Sequence, residues 1–175
     1  GTLFMQIMHG GRTSHPDLID GANPEAPSAF DWGGTVRGFA GKMDAPVPRE
    51  LKKEELPRIV DEFRQGARRA IDAGVDGVEI HGANGYLLHE FMAPSANKRE
   101  DEFGGSPENR WRLPEMVIRA VAEEIGADRV GVRFSPAHNV QGVIEDDQED
   151  MLATYGGLLD ALAPLNLAYV SLLHG

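Results

Sequence analysis

The sequence predicts an α/β fold of the (β/α) barrel type, and three observations carry that expectation. Short apolar strands alternate with helical patterns, no hairpin signal interrupts the alternation, and the elaborate loops all follow strands. Alternation without hairpins implies parallel strands joined by right-handed crossovers. That leaves a (β/α) barrel or an open doubly wound sheet. The turns before the strands (residues 73–76, 126–128 and 164–166) are short, so elaboration gathers at the C-terminal strand ends, where barrel enzymes build their sites. A whole barrel takes about 250 residues. The 175 residues here hold four strands and read as one partial barrel, 1–175, the middle section of something longer. No Gly-x-Gly-x-x-Gly follows a strand, so a Rossmann dinucleotide site is unsupported.

The elements follow in order. The first strand is centred near Met5, and a Gly- and Pro-rich loop occupies roughly residues 10–48. Leu56, Ile59, Val60, Phe63, Ala67, Ala70 and Ile71 recur at spacings of three and four, which is one apolar stripe of a helix. Lys52-Lys53-Glu54-Glu55 is its solvated start and Gly74 its C-terminal cap. The second strand is centred near Val78, and a loop runs from residue 82 to 105. Ser106 and Pro107 open the next helix as N-cap and first helical residue. Leu113, Met116, Val117, Ala120 and Val121 form its buried side, and Pro114 is expected to kink it or delay its start. The third strand is centred near Val132. The third helix spans residues 150–162, with Leu152, Tyr155, Leu158, Leu159 and Leu162 as its apolar set. The acidic run Glu145, Asp146, Asp147, Glu149 and Asp150 reads as a solvated helix start that suits the helix dipole. The last strand is centred near Val170.

Composition narrows the function. With 17 Lys and Arg against 28 Asp and Glu, the net charge is −11. An acidic surface argues against nucleic acid or an anionic membrane as partner. The chain has no cysteine, which excludes disulfides, thiolate metal sites, iron–sulfur clusters and a cysteine nucleophile in this stretch. His9, His15, His89, His138 and His174 lack metal-ligand spacing, so no metal is expected. No apolar run has membrane-spanning length and no signal peptide opens the chain, so a cytoplasmic protein is expected.

Chemistry concentrates at the mouth of the second strand. His81-Gly82-Ala83-Asn84-Gly85-Tyr86 sets two hydrogen-bond donors three residues apart on a glycine-bearing turn, with a phenol two residues further on. Two donors converging on one carbonyl oxygen polarise it as charge develops, and the phenol has a proton to give. In the third strand, alternation puts Arg133 on the face opposite Val132 and Phe134. A cation inside a barrel needs an anionic or acceptor-rich partner. Glu79 on the preceding strand is one candidate and a ligand that becomes anionic is the other. Gln6 is a polar side chain in the first strand, and its amide suits the edge of a flavin pyrimidine.

Residues 78–110, from Val78-Glu79-Ile80-His81-Gly82-Ala83-Asn84-Gly85-Tyr86 to Gly104-Gly105-Ser106-Pro107-Glu108-Asn109-Arg110, strongly resemble the signature of the old yellow enzyme family. Gln6-Ile7-Met8-His9-Gly10-Gly11-Arg12 and Gly131-Val132-Arg133-Phe134-Ser135-Pro136 are similar to that family in the same order. The resemblance implies a (β/α)8 barrel, of which this chain covers strands three to six. It implies non-covalent FMN, NAD(P)H as hydride donor, and an activated alkene (an enone, nitroalkene or maleimide) as the small-molecule substrate. By matching position, His81 and Asn84 hold the substrate oxygen and Tyr86 protonates the α-carbon. Gln6 meets the flavin pyrimidine, and Arg133 stabilises the reduced, anionic ring. Met8 departs from the family, where many members carry a bulky aromatic residue. The Gly104–Arg110 motif is read as turn and helix-start architecture. Two other functions stay open: a non-catalytic half-barrel that forms a homo-oligomer through its exposed sheet edges, and a different barrel enzyme that uses Arg133 to hold an anionic substrate.

Overall fold

The structure, a computed structural model, describes residues 1–173. The elements in chain order are β1 (Phe4–Ile7), β2 (Glu25–Ala26), β3 (Thr35–Gly38), β4 (Gly41–Asp44), β5 (Arg49–Glu50), α1 (Leu56–Asp72), β6 (Gly77–Gly82), α2 (Leu87–Met92), α3 (Pro107–Ile125), β7 (Val130–Phe134), α4 (Gln148–Leu162) and β8 (Tyr169–Leu172). The main sheet has the order β1-β6-β7-β8, and every pairing in it is parallel. These are the four strands read from the sequence.

Alternation along the strands sorts the residues into two layers. Val78, Ile80, Val130, Val132 and Phe134 point to one side, where they pack with Ile59, Phe63, Leu113, Val117, Val121 and Leu158 of the helices in one core. Emptying such a position costs about 2–5 kcal/mol for a leucine cut to alanine. Gln6, Glu79, His81 and Arg133 occupy the alternate positions. Helices on one face alone exclude the doubly wound alternative, which needs them on both. The edge strands are less covered. Met5 and Val170 stand in register with Val78 and Val132, yet each is 44% exposed, because the helices pack over the inner strands. No helix among the described residues is long and apolar enough to cross a membrane.

Helix ends follow local chemistry. Glu55 accepts the Lys52 N–H at 2.8 Å before α1, and Gly74 adopts a φ of 99° just past its end. The Ser106 hydroxyl accepts the Asn109 N–H to open α3, and the Asp147 carboxylate accepts from Glu149 and Asp150 to open α4.

The structure corrects several expectations. β3 and β4 form an antiparallel hairpin inside the first loop, closed by the pair Gly38 and Gly41, with Gly41 at φ 102°. β2 and β5 add a short parallel pair in the same stretch. The 82–105 loop contains α2, whose residues are all buried. α3 runs unbroken through Pro114; the ring removes only the donor that the Arg110 carbonyl would otherwise meet. Leu152 is 58% exposed and lies outside the core. Glu145 is buried rather than solvated, while its neighbours Asp146 and Asp147 stay exposed.

Candidate active site

The inner face of the sheet is laid out in rows across the strands. One row runs Gln6, Glu79, Gly131, Tyr169, and the next holds His81, Arg133 and Ser171. Gln6 Nε2 donates to Glu79 Oε1 at 2.5 Å. Gly131 has no side chain, and the Tyr169 ring fills that space: a Cβ there would lie 2.2 Å from the ring. Gly77 does the same for Phe4, and the two aromatic rings meet at 5.3 Å. Burial and then Glu79 push the Tyr169 phenol up to about 12.

Arg133 is the correction in this layer. Its register partner is His81, one row beyond Glu79, and it makes no ion pair with that carboxylate among the described residues. Glu79 is engaged by Gln6 instead. The guanidinium of Arg133 has no hydrogen-bond acceptor among the described residues and is partly exposed, so the structural half of the sequence reading falls away and the group is open to solvent or a ligand.

At the C-terminal end of β6 the chain turns sharply. Asn84 has φ 58° and Gly85 φ 78°, a left-handed pair that asparagine and glycine tolerate best. Other elements hold this turn. The Asn84 N–H donates to Ser135 Oγ at 2.9 Å, and Gln141 Nε2 donates to the Asn84 carbonyl at 2.7 Å. The Gly85 N–H donates to His89 Nδ1 at 2.9 Å. The result is that Asn84 Nδ2 lies 3.5 Å from His81 Nε2. Tyr86 caps α2 and sets its ring 5.2 Å from that of His81.

This pair is under-satisfied. His81 Nδ1 and Asn84 Oδ1 are buried without partners among the described residues. Burial, and then the charge of Arg133, lower the His81 pKa, so the imidazole is neutral at neutral pH and carries one N–H. If that proton is on Nε2, two donors face each other with no acceptor. If it is on Nδ1, a buried donor is unpaired. The Nε2–H tautomer is the one that leaves two adjacent donors for a ligand oxygen beside His81 and Asn84. His81, Asn84 and Tyr86 therefore come together, Arg133 stands beside His81 in register, and Gln6 stands on β1, one row lower.

Sequence reasoning missed the residues behind this turn: Ser135, Gln141, His89 and Glu145. It also missed a buried pair, Arg12 and Glu90. The Arg12 N–H donates to Glu90 Oε1 at 2.9 Å, and the Arg12 guanidinium lies 5.0 Å from the Trp32 ring and 5.5 Å from that of Phe30. This pins the first loop to α2. Burial pushes Glu90 up to about 8, with Arg12 acting against it. The signal available was polar residues at positions 89 and 90 inside an otherwise apolar run.

Known proteins share this fold and much of this sequence. The chain is 50% identical over 137 residues to the putative 12-oxophytodienoate reductase-like protein 2A of Arabidopsis thaliana, covering 78% of this chain and 49% of that protein. It is 48% identical over 145 residues to 12-oxophytodienoate reductase 1 of Oryza sativa subsp. japonica, covering 83% of this chain and 37% of that protein. The solved old yellow enzyme homologue of Zymomonas mobilis superposes with a TM-score of 0.93 at 38% identity, over 100% of this chain and 48% of that one. Morphinone reductase superposes with a TM-score of 0.90 at 38% identity, over 98% of this chain and 47% of that one. The chain thus spans about half or less of the length of these relatives, and its sheet is half of a (β/α)8 barrel. The sequence profile of the NADH:flavin oxidoreductase / NADH oxidase family matches residues 1–171, and the chain belongs to that family.

Proposed function

We propose that this chain, as one partial barrel domain, is the catalytic core of an FMN-dependent oxidoreductase that reduces activated C=C bonds with hydride from NAD(P)H. The observation that carries the reading is the pair of side-chain nitrogens 3.5 Å apart on His81 and Asn84, with unmet polar atoms and the Tyr86 ring beside them. Such a pair suits an oxygen that gains negative charge, as in an enone, nitroalkene or maleimide.

The residues have distinct roles. His81 and Asn84 hold and polarise the substrate oxygen. Tyr86 gives its phenolic proton to the α-carbon. Arg133, without an acceptor among the described residues, and Gln6 would hold FMN on the inner face, the arginine against its more anionic side. FMN, when bound, supplies the hydride taken from NAD(P)H. The solved complex of morphinone reductase with tetrahydroNAD supports a nicotinamide donor. A cytoplasmic location fits, because NAD(P)H is an intracellular metabolite. Met5, Val170 and Leu172 are half-exposed on the two edge strands, where either the remaining strands of a (β/α)8 barrel or a second copy of this chain would cover them.

FMN titration of the purified protein, followed by absorbance and flavin fluorescence, tests this reading. Saturable binding that Arg133→Ala weakens, and reduction of cyclohex-2-enone that Tyr86→Phe slows by roughly 10²–10⁴, are expected. Absence of FMN binding, or an undiminished rate in the Tyr86 variant, overturns it.

A further inference from the structure

The turn carrying Asn84 and Tyr86 does not support itself. Its two left-handed residues direct their backbone polar groups to partners elsewhere, and one of these is a buried histidine. His89 lies in α2 with no exposed surface. Its Nδ1 accepts the Gly85 N–H at 2.9 Å, so the Nδ1 lone pair is committed and a neutral ring carries its proton on Nε2.

That Nε2 stands 3.3 Å from Glu145 Oε2, a close approach that falls short of an aligned hydrogen bond. Glu145 is held in turn. The Tyr155 hydroxyl donates to its two oxygens at 3.1 and 3.2 Å, and the Ala137 N–H donates to Oε2 at 3.1 Å. Burial and the neighbouring carboxylate raise Tyr155 well above its ordinary value, so it stays a donor. A carboxylate behind a histidine orients the ring and selects its tautomer, and that arrangement commonly supports a functional group in front. Here the group in front is the backbone amide between the two proposed substrate-binding residues, Asn84 and Tyr86.

We propose that His89, oriented by Glu145 and Tyr155, is a positioning residue for the turn that carries Asn84 and Tyr86. It sets where Asn84 Nδ2 and the Tyr86 phenol stand, while Asn84 and Tyr86 themselves meet the substrate. The significance of that placement rests on the ene-reductase reading, whereas the Gly85–His89 clamp stands without it.

Two substitutions in the FMN-loaded protein test the proposal. His89→Leu keeps the volume and removes the acceptor, whereas His89→Asn restores an acceptor near the Nδ1 position. The leucine variant should raise the KM for cyclohex-2-enone by about tenfold, the scale of one misaligned hydrogen bond, with FMN occupancy unchanged. The asparagine variant should recover most of that loss. Nitrogen-15 NMR of the unsubstituted protein should show coupling across the hydrogen bond between Gly85 N and His89 Nδ1, a readout that needs no turnover and no variant that folds. Absence of that coupling overturns the proposal. So does an unchanged KM in the leucine variant, or FMN loss in both variants, which would mark a merely structural residue. A protein that shows the coupling yet reduces no enone refutes the ene-reductase reading and leaves the clamp in place.

Discussion

Asn84 Nδ2 and His81 Nε2 stand 3.5 Å apart although their backbones differ, one extended as the penultimate residue of β6 and the other left-handed at φ 58°. The closeness comes from the turn, because a residue continuing in extended conformation would point away.

Replacing Asn84 separates these two contributions. Asn84→Ala keeps a Cβ in the left-handed region and should cost about 1 kcal/mol of stability, whereas Asn84→Gly relieves the backbone. Both remove the donor. Thermal denaturation should therefore rank glycine above alanine, while enone binding falls equally in both. A glycine variant that binds enone like the unsubstituted protein would remove Asn84 from the oxygen site.

Tyr86→Phe keeps the ring packed 5.2 Å from His81 and deletes only the hydroxyl. The unfolding midpoint should barely move, while enone reduction falls by roughly 10²–10⁴, the range of one general acid. Stopped-flow traces should show flavin reduction by NAD(P)H largely unaffected.

Glu90 gives the stability curve a slope. Its folded pKa is raised from 4.5 to about 8, so between those values the folded state binds the extra proton. The stabilisation is whole below 4.5 and is lost as pH rises through about 8. Glu90→Gln, which keeps an acceptor for the Arg12 N–H, should flatten that decline. Near pH 8 it should stabilise the protein by on the order of a few kcal/mol, read by urea denaturation across pH.

His81 acts in the opposite direction. Its pKa is depressed below 6.5 by burial and by Arg133, so the unfolded chain takes up a proton first as pH falls. Stability from this group is present above 6.5 and is lost as pH falls towards the folded value. An NMR titration of the His81 ring should give a midpoint below 6.5, moving upward in Arg133→Ala. A midpoint above 6.5 would contradict a neutral donor at the site.

Much of this was legible in the chain because the deciding residues are close in sequence. α1 declares itself through Leu56, Ile59, Phe63, Ala67 and Ala70, all buried on one stripe. His81, Asn84 and Tyr86 lie within one turn, so their meeting needs little tertiary information. What supports them comes from afar: Ser135 and Gln141 are 51 and 57 positions from Asn84. α2 escaped notice because it is buried all round and shows no polar face to set a period. The β3–β4 hairpin hid because its tip, Phe39-Ala40, lacks the usual turn residues. Alternation put Glu79 and Arg133 on the same face but could not show that register offsets them by a row.

The glycine at position 131 has a consequence for observation. By leaving its place on the inner face vacant, it lets the Tyr169 ring lie across β7, from the outermost strand towards Glu79. Gln6 reaches the same carboxylate from the far edge. A ligand that draws Gln6 away leaves Glu79 with one donor fewer, and the phenol on the other side feels the change as a shift in its ionisation. Tyr169 is thus coupled through Glu79 to the opposite edge of the sheet, and its ring signals in NMR, resolved from those of Tyr86 and Tyr155, are expected to move when that edge is occupied.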